Sequence, residues 1–215
     1  TKSNKLGFVA SFPIPQVLAN INAFELGAKS VNPDATTSVI FTGSWSDPAL
    51  QTSSANTLID KGIDVIAQHQ DSTKTIVELC EQKGVYCVGD HADASELAPN
   101  TWLTGAVWHW DDLFIDMVQT AIDGKFDGSK YDGKYRGGLK EGVVDIAPFG
   151  KSVSEDTQKK IEEEKDKMIN DDYNPFSDEI KDQKGNIVCK KGQTLTIDEI
   201  ESMDYLVDGV IGSTK

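Results

Sequence analysis

The stretch KLGFVASFPIPQVLANINAFELGAKSVNPDATTSVIFTGSW, residues 5–45, holds one complete cycle of a pattern that recurs through the first half of the chain. It opens on a short apolar run, KLGFVAS, and closes on a second, TTSVIFTGSW, both rich in β-branched and aromatic residues as buried strands are. Between them Val17, Leu18, Ile21, Phe24 and Ala28 fall on one stripe at helical spacing, and Gly27 followed by Asn-Pro-Asp predicts the helix exit. Strand, helix, strand in this length is a βαβ unit, which requires parallel strands.

Working outward, GIDVIAQHQ, GVYCVGD and WLTGAVWHW supply three more strands, and helical segments separate the first four of the five. Asp47 and Pro48 suit the N-cap and first position of a second helix ending near Lys61-Gly62. A third helix is expected from about Ser72 to Gly84. A fourth is DDLFIDMVQTAIDGKF, with Asp111 or Asp112 as its cap. The fold class expected is α/β, a parallel sheet flanked by helices.

After about Gly124 the composition shifts. GKFDGSKYDGKYRGG is polar and Gly- and Lys-rich, as a connection is; GVVDIAPF reads as an apolar strand. SVSEDTQKKIEEEKDKMINDD alternates acids with lysines like a solvated helix, and EIKDQ with NIVCKKGQTLT suits a hairpin around Lys184-Gly185-Asn186.

The charge excludes some functions. With 21 basic and 35 acidic side chains the formal net charge is −14, so a phosphate backbone is repelled and nucleic acid is not an expected partner. No run approaches the roughly 20 apolar residues of a membrane helix. The start, TKSNKLGFVAS, lacks the charged and apolar regions of a signal peptide, so any export signal is expected to be removed or to lie upstream. Cys80 and Cys87 are read as two buried thiols in preference to a disulfide, with Cys189 apart from them.

In an open parallel sheet, ligands bind beyond the carboxyl ends of the strands, where loops and helix N-termini converge. The residues leaving the five strands are Ser11-Phe12-Pro13, Ser44-Trp45-Ser46-Asp47, Gln68-His69-Gln70-Asp71-Ser72, Asp90-His91-Ala92-Asp93 and Trp108-His109-Trp110-Asp111. Three of the four tryptophans and all three histidines therefore belong to one rim. Rings mixed with amides, hydroxyls and carboxylates suit a planar polar heterocycle, stacked on its faces and hydrogen-bonded at its edge. The candidate ligand-binding residues are Phe12, Trp45, His69, Asp71, Ser72, Asp90, His91, Asp93, Trp108 and Trp110. The alternative makes Trp108 a core residue and Trp110 a helix-entry staple.

His69, His91 and His109 with Asp71 or Asp90 could be imagined around zinc, but the chain has no HxH or HExxH spacing, and no metal or other cofactor is expected. Catalytic motifs are also lacking: there is no GxSxG elbow, phosphate loop or GxGxxG, so no catalytic residue and no enzyme is expected.

The ordered series GFVASFPIPQVLANINAFELGAKSVNPDA, TGSWSDPA, DVIAQHQDS, GVYCVGD and GGLKEGVVDIAPFG resembles the basic membrane protein family of ABC-importer substrate-binding proteins, in the branch related to purine-nucleoside receptors. The resemblance implies a type I periplasmic-binding fold of two lobes closing on a ligand. It implies residues 1–127 as the second lobe and 128–215 as the crossover and return segment that would complete the first. It also implies a purine nucleoside, purine base or similar heterocycle as ligand, an ABC permease as partner, and a periplasmic or extracellular, membrane-anchored lipoprotein precursor. The family's ribose acid falls at His91 and its lysine at Trp108, departures that place a free base beside a nucleoside as the expected guest. Because family proteins carry a lobe ahead of GFVAS, a separate first lobe or self-association is expected to cover the exposed edges, and weak capture is expected of this chain alone. A ligand-sensing module of a signalling or regulatory system is the alternative function, with a metal enzyme on the histidine rim behind it.

Overall fold

The computed structural model describes residues 1–126, 135–170 and 173–214. In chain order the first half runs β1 (Lys5–Ala10), α1 (Pro15–Val31), β2 (Thr36–Phe41), α2 (Pro48–Asp60), β3 (Val65–His69), α3 (Thr73–Lys83), β4 (Tyr86–Gly89), a 3₁₀ turn (Ser95–Leu97), β5 (Trp102–Trp108) and α4 (Asp111–Ile122). The second half supplies β6 (Val144–Ile146), α5 (Glu155–Ile169), β7 (Ile180–Lys181), β8 (Ile187–Cys189), α6 (Ile197–Glu201) and β9 (Val210–Ile211). The Gly- and Lys-rich connection expected after α4 falls partly on 127–134, outside the described residues.

One seven-stranded sheet in the order β6-β5-β4-β3-β1-β2-β9 organises the chain. Strands β1 to β5 are mutually parallel, as the repeated βαβ pattern requires, with β1 central between β2 and β3. Two strands from 128–215 extend this sheet: β6 pairs antiparallel with β5, and β9 pairs parallel with β2.

Each face of the sheet is covered by its own core. On one, Phe8, Ala10, Val39 and Ala67 pack beneath Val17, Leu18 and Ile21 of α1 and beneath Phe176, Ile180, Leu195, Met203, Leu206 and Val207. On the other, Val9, Ile66 and Cys87 pack against Ala55 and Leu58 of α2, Ile76, Val77 and Cys80 of α3, and Trp102. The C-terminal segment is held to α1 by Asn22, fully buried, whose Nδ2 donates to the Tyr205 carbonyl (2.9 Å) and whose Oδ1 accepts from Val207 N (3.0 Å).

Local expectations fare differently. Asp47 caps α2, its Oδ1 accepting from Ala49 N and Leu50 N, with Pro48 opening the helix. Gly84 ends α3 at φ 68°. The hairpin is formed by β7 and β8, with Gly185 at φ 83° in its turn. The exit of α1 lies further on than expected: Gly27 sits inside the helix, which continues to Val31 with Asn32 as C-cap. An exposed glycine costs a helix only about 1 kcal/mol, and the packed stripe outweighs that. The cap of α4 is Trp110, one residue earlier than expected; Asp111 and Asp112 occupy the first turn, where the helix dipole favours acids. All three cysteines are free and buried.

Among the residues of α4 only Leu113 is buried, and Phe114, Ile115, Val118 and Ile122 are exposed.

Candidate ligand-binding site

Because β1 to β5 are parallel, their C-terminal ends share one edge of the sheet, and each strand delivers side chains there. Phe12 leaves β1, Trp45 follows β2, His69 ends β3, His91 follows β4 and Trp108 ends β5. Their rings meet in sequence. Centroid separations are 5.7 Å for Phe12–Trp45, 5.8 Å for Trp45–His69, 5.8 Å for His69–His91, 6.5 Å for His91–Trp108, 5.2 Å for Trp108–Trp110 and 5.9 Å for Trp110–Phe114. The result is a continuous aromatic arc across the sheet. The first pairs meet edge-on or tilted, whereas Trp108, Trp110 and Phe114 lie nearly parallel, at 14° and 19°. Trp108 is half-buried, and Trp110 remains 42% exposed at the rim.

Hydrogen bonds tie the turns together. Asp71 N donates to the Trp45 carbonyl (2.8 Å), joining the exits of β2 and β3. Gln51 Nε2 donates to Gln70 Oε1, and Gln70 Nε2 to Thr42 Oγ1, both at 3.1 Å. Thr73 Oγ1 at the start of α3 donates to the Asp90 carbonyl (2.6 Å), fixing the exit of β4. The rim is therefore braced laterally before any guest arrives.

The titratable groups cluster at its middle. His69 is 3% exposed, with Asn20 Nδ2 3.0 Å from its Nδ1. Burial and the neighbouring His91 lower its pKa to about 4, against a smaller opposing effect of Asp71, so it is neutral at pH 7. Asp90 is 7% exposed, and burial raises its carboxyl to about 6 despite the nearby His91. Its Oδ2 makes no hydrogen bond among the described residues, and His91 Nε2 lies 3.4 Å from it. Asp71 Oδ1 lies 3.9 Å from the same nitrogen.

One hydrogen bond decides the chemistry of this cluster. Trp108 Nε1 donates to His91 Nδ1 at 3.0 Å. An indole N–H can only donate, so Nδ1 must offer its lone pair and the proton of neutral His91 resides on Nε2. Ligand atoms of His69, Asp90 and His91 lie within 4.8 Å of one another, close enough to consider a metal. Yet His91 turns a proton, not a lone pair, toward the group. His109 is not in this cluster; its backbone N donates to the Val143 carbonyl.

Of the other expected site residues, Ser72 is the N-cap of α3 without a side-chain cap bond, and Asp71 is exposed at the turn before it. Asp93 is exposed, and its Oδ1 accepts from Ser95 N within its own turn. A cleft of about 460 Å³, within the range of small-molecule sites, is lined by His91, Asp93, Trp108, His109, Asp145 and Pro148 among others. The sequence reading missed Asn20, which reaches His69 from α1, and Phe114, which extends the stack. Phe114 follows Trp110 at helical i,i+4 spacing and was open to that reading; Asn20, one of several polar residues on α1, gave no signal of its partner.

Comparison with known proteins agrees with this architecture. Residues 1–174 match the family described as PnrA-like ABC transporter substrate-binding proteins. A purine-binding protein of Brucella abortus is 36% identical over 210 residues, covering 98% of this chain and 58% of the relative. A putative ABC transporter glucose-binding protein of Haloferax volcanii is 34% identical over 177 residues, covering 82% of this chain and 44% of that one. The chain thus spans about half the length of these relatives. Among solved structures, a transcriptional activator of the comK gene from Bacillus halodurans superposes with a TM-score of 0.66 at 24% identity, covering 81% of this chain and 59% of that one. An ABC transporter solute-binding protein from Conexibacter woesei does so at 0.63 and 18% identity, covering 80% and 56%. Sequence match, parallel sheet and rim converge on one conclusion: the chain belongs to the PnrA-like, or Bmp, family of ABC transporter substrate-binding proteins.

Proposed function

We propose that the chain captures a purine base, a purine nucleoside or a similar small aromatic heterocycle outside the membrane and presents it to an ABC permease. The family binds substrates for transport and is not a family of enzymes. The observation that carries the ligand class is the arc from Phe12 to Phe114, with aromatic rings supplied by the ends of all five parallel strands. Its faces are suited to a flat guest, and the polar groups between them to the guest's edge. A sugar also stacks on indoles, and the Haloferax relative is named for glucose, so glucose is the appropriate competitor.

Membrane anchoring through a lipid is part of the same proposal; among the described residues no helix is long and apolar enough to cross a membrane. The further partner, a first lobe or a second copy of the chain, is likewise proposed, and the exposed apolar side of α4 supports the need for a covering surface.

Tryptophan fluorescence and saturation-transfer NMR, the latter sensitive to weak binding, test the ligand class with adenine, hypoxanthine, adenosine and glucose. Purines are expected to quench the rim and to receive saturation, glucose to do neither. An equal response to glucose, or none to any purine, overturns the reading.

A further inference from the structure

Asp90 is a buried acid beside the proposed stacking surface, yet its Oδ2 is shut away from solvent and cannot meet a guest directly in this arrangement. What it can reach is His91. The contacts run in one direction: Asp90 Oδ2 lies 3.4 Å from His91 Nε2, and His91 Nδ1 accepts from Trp108 Nε1 at 3.0 Å. The lone pair of Nδ1 lies in the imidazole plane and the indole N–H in its own, so the two rings join edge to edge. They are tilted by only 28°, with centroids 6.5 Å apart, and make one broad platform. Trp110 stacks on the indole part of it at 5.2 Å.

The backbone contributes to this alignment. His91 has a φ of 69°, in the left-handed region that residues other than glycine enter uncommonly, histidine more readily than most. Thr73 holds the preceding carbonyl from α3. Such strain persists only where the surroundings over-determine it, and here it turns the imidazole between the acid and the indole.

We propose that Asp90 is a positioning residue whose carboxylate, facing His91 Nε2 at 3.4 Å without a formed hydrogen bond, attracts the proton to that nitrogen and so keeps Nδ1 free to anchor the Trp108 indole as the platform on which the guest stacks. The inference rests on the heterocycle-receptor reading for its function, but the relay itself is testable without ligand. If the proton moves to Nδ1, or a second proton arrives there, two donors face each other and the indole is released. The charged and titratable groups around His91 are Asp90 from the end of β4, Asp71 from the turn before α3, His69 from β3, and Asp93, His109 and Asp145 along the adjoining cleft.

The test follows the Trp108 indole N–H by proton–nitrogen NMR, assigned by its loss in Trp108→Phe. Asp90→Leu removes the oxygen that faces Nε2, whereas Asp90→Asn retains one in its place. The expected result is faster solvent exchange and an upfield shift of the indole proton in Asp90→Leu, near-parental behaviour in Asp90→Asn, and a loss of adenine affinity of threefold or more in the leucine variant alone. An unchanged indole resonance in a folded Asp90→Leu overturns the relay, as does equal damage by both substitutions. Should the leucine variant not fold, the parental chain decides. His91 nitrogen chemical shifts that place its proton on Nε2 in the folded chain support the relay, and shifts that place it on Nδ1 overturn it. An intact relay with no binding of adenine or any other aromatic heterocycle instead overturns the receptor reading, and with it the functional half of this inference.

Discussion

Acidification sets His69 and Asp90 against each other, and the size of each effect can be worked out. His69 is held neutral by burial, with a folded pKa of about 4 against the ordinary 6.5. A depressed folded value means that the unfolded chain binds the proton first, so this contribution to stability is present above pH 6.5 and is lost as pH falls toward 4. Between pH 7 and pH 4.5 the loss is about 2.5 kcal/mol. Asp90 acts in the opposite sense. Its carboxyl is raised from 3.8 to about 6, so the folded chain takes up the proton first. The associated stability is present at low pH and is lost as pH rises through about 6, a gain of about 2 kcal/mol on going from pH 7 to 4.5. In the parent chain the two nearly cancel. His69→Asn keeps a polar atom near Nδ1 for Asn20 but removes the titration together with the ring contacts to Trp45 and His91; the contacts act at both pH values, so the change between the two isolates the titration. The variant is expected to gain about 2.5 kcal/mol relative to the parent on acidification, or about 1 M in urea midpoint for a slope of about 2.5 kcal/mol/M. Asp90→Asn is expected to do the reverse, losing about 2 kcal/mol. Urea titrations at the two pH values, followed by far-ultraviolet circular dichroism, measure both. A His69→Asn midpoint that tracks the parent to within about 0.2 M refutes the assignment of a buried, neutral His69.

Two further predictions concern the scaffold. Asn22→Ala strips the Tyr205 carbonyl and Val207 amide of their buried partner and is expected to cost about 2–3 kcal/mol; hydrogen exchange should show protection lost first over 203–211, and uniform loss across the sheet would contradict the clamp. Gly89→Ala places a methyl group inside the Trp102 ring and is expected to cost about 1–3 kcal/mol, with Trp102→Phe in the same chain recovering part of it; simple additivity in thermal melts would show that the two do not touch.

The five parallel strands and the composition of their rim were readable because both depend on local pattern: five apolar runs, each followed by a ring-bearing turn, in an architecture that gathers all carboxyl ends on one side. The connections between those turns were not. The bond from Trp108 to His91 spans 17 residues and that from Asn20 to His69 spans 49, and neither leaves a trace in periodicity or spacing. Gly27 was misread because a breaker's small cost was weighed without the packing that Ile21 and Phe24 provide on the same helix. Strand β9 is two residues long, too short for any alternation, and it exists because Asn22 and the core around Met203 and Leu206 bring the chain back beside β2.

Trp108 and Trp110 lie 5.2 Å apart with their planes within 14°. Two identical chromophores at that distance couple their strong excited states, so the pair is expected to carry a signed circular-dichroism band in the far-ultraviolet that neither indole has alone. A molecule sliding between them, or a rotation of Trp108 away from its imidazole, would divide that band into two ordinary ones, and occupancy of the rim could thus be followed optically without any added dye.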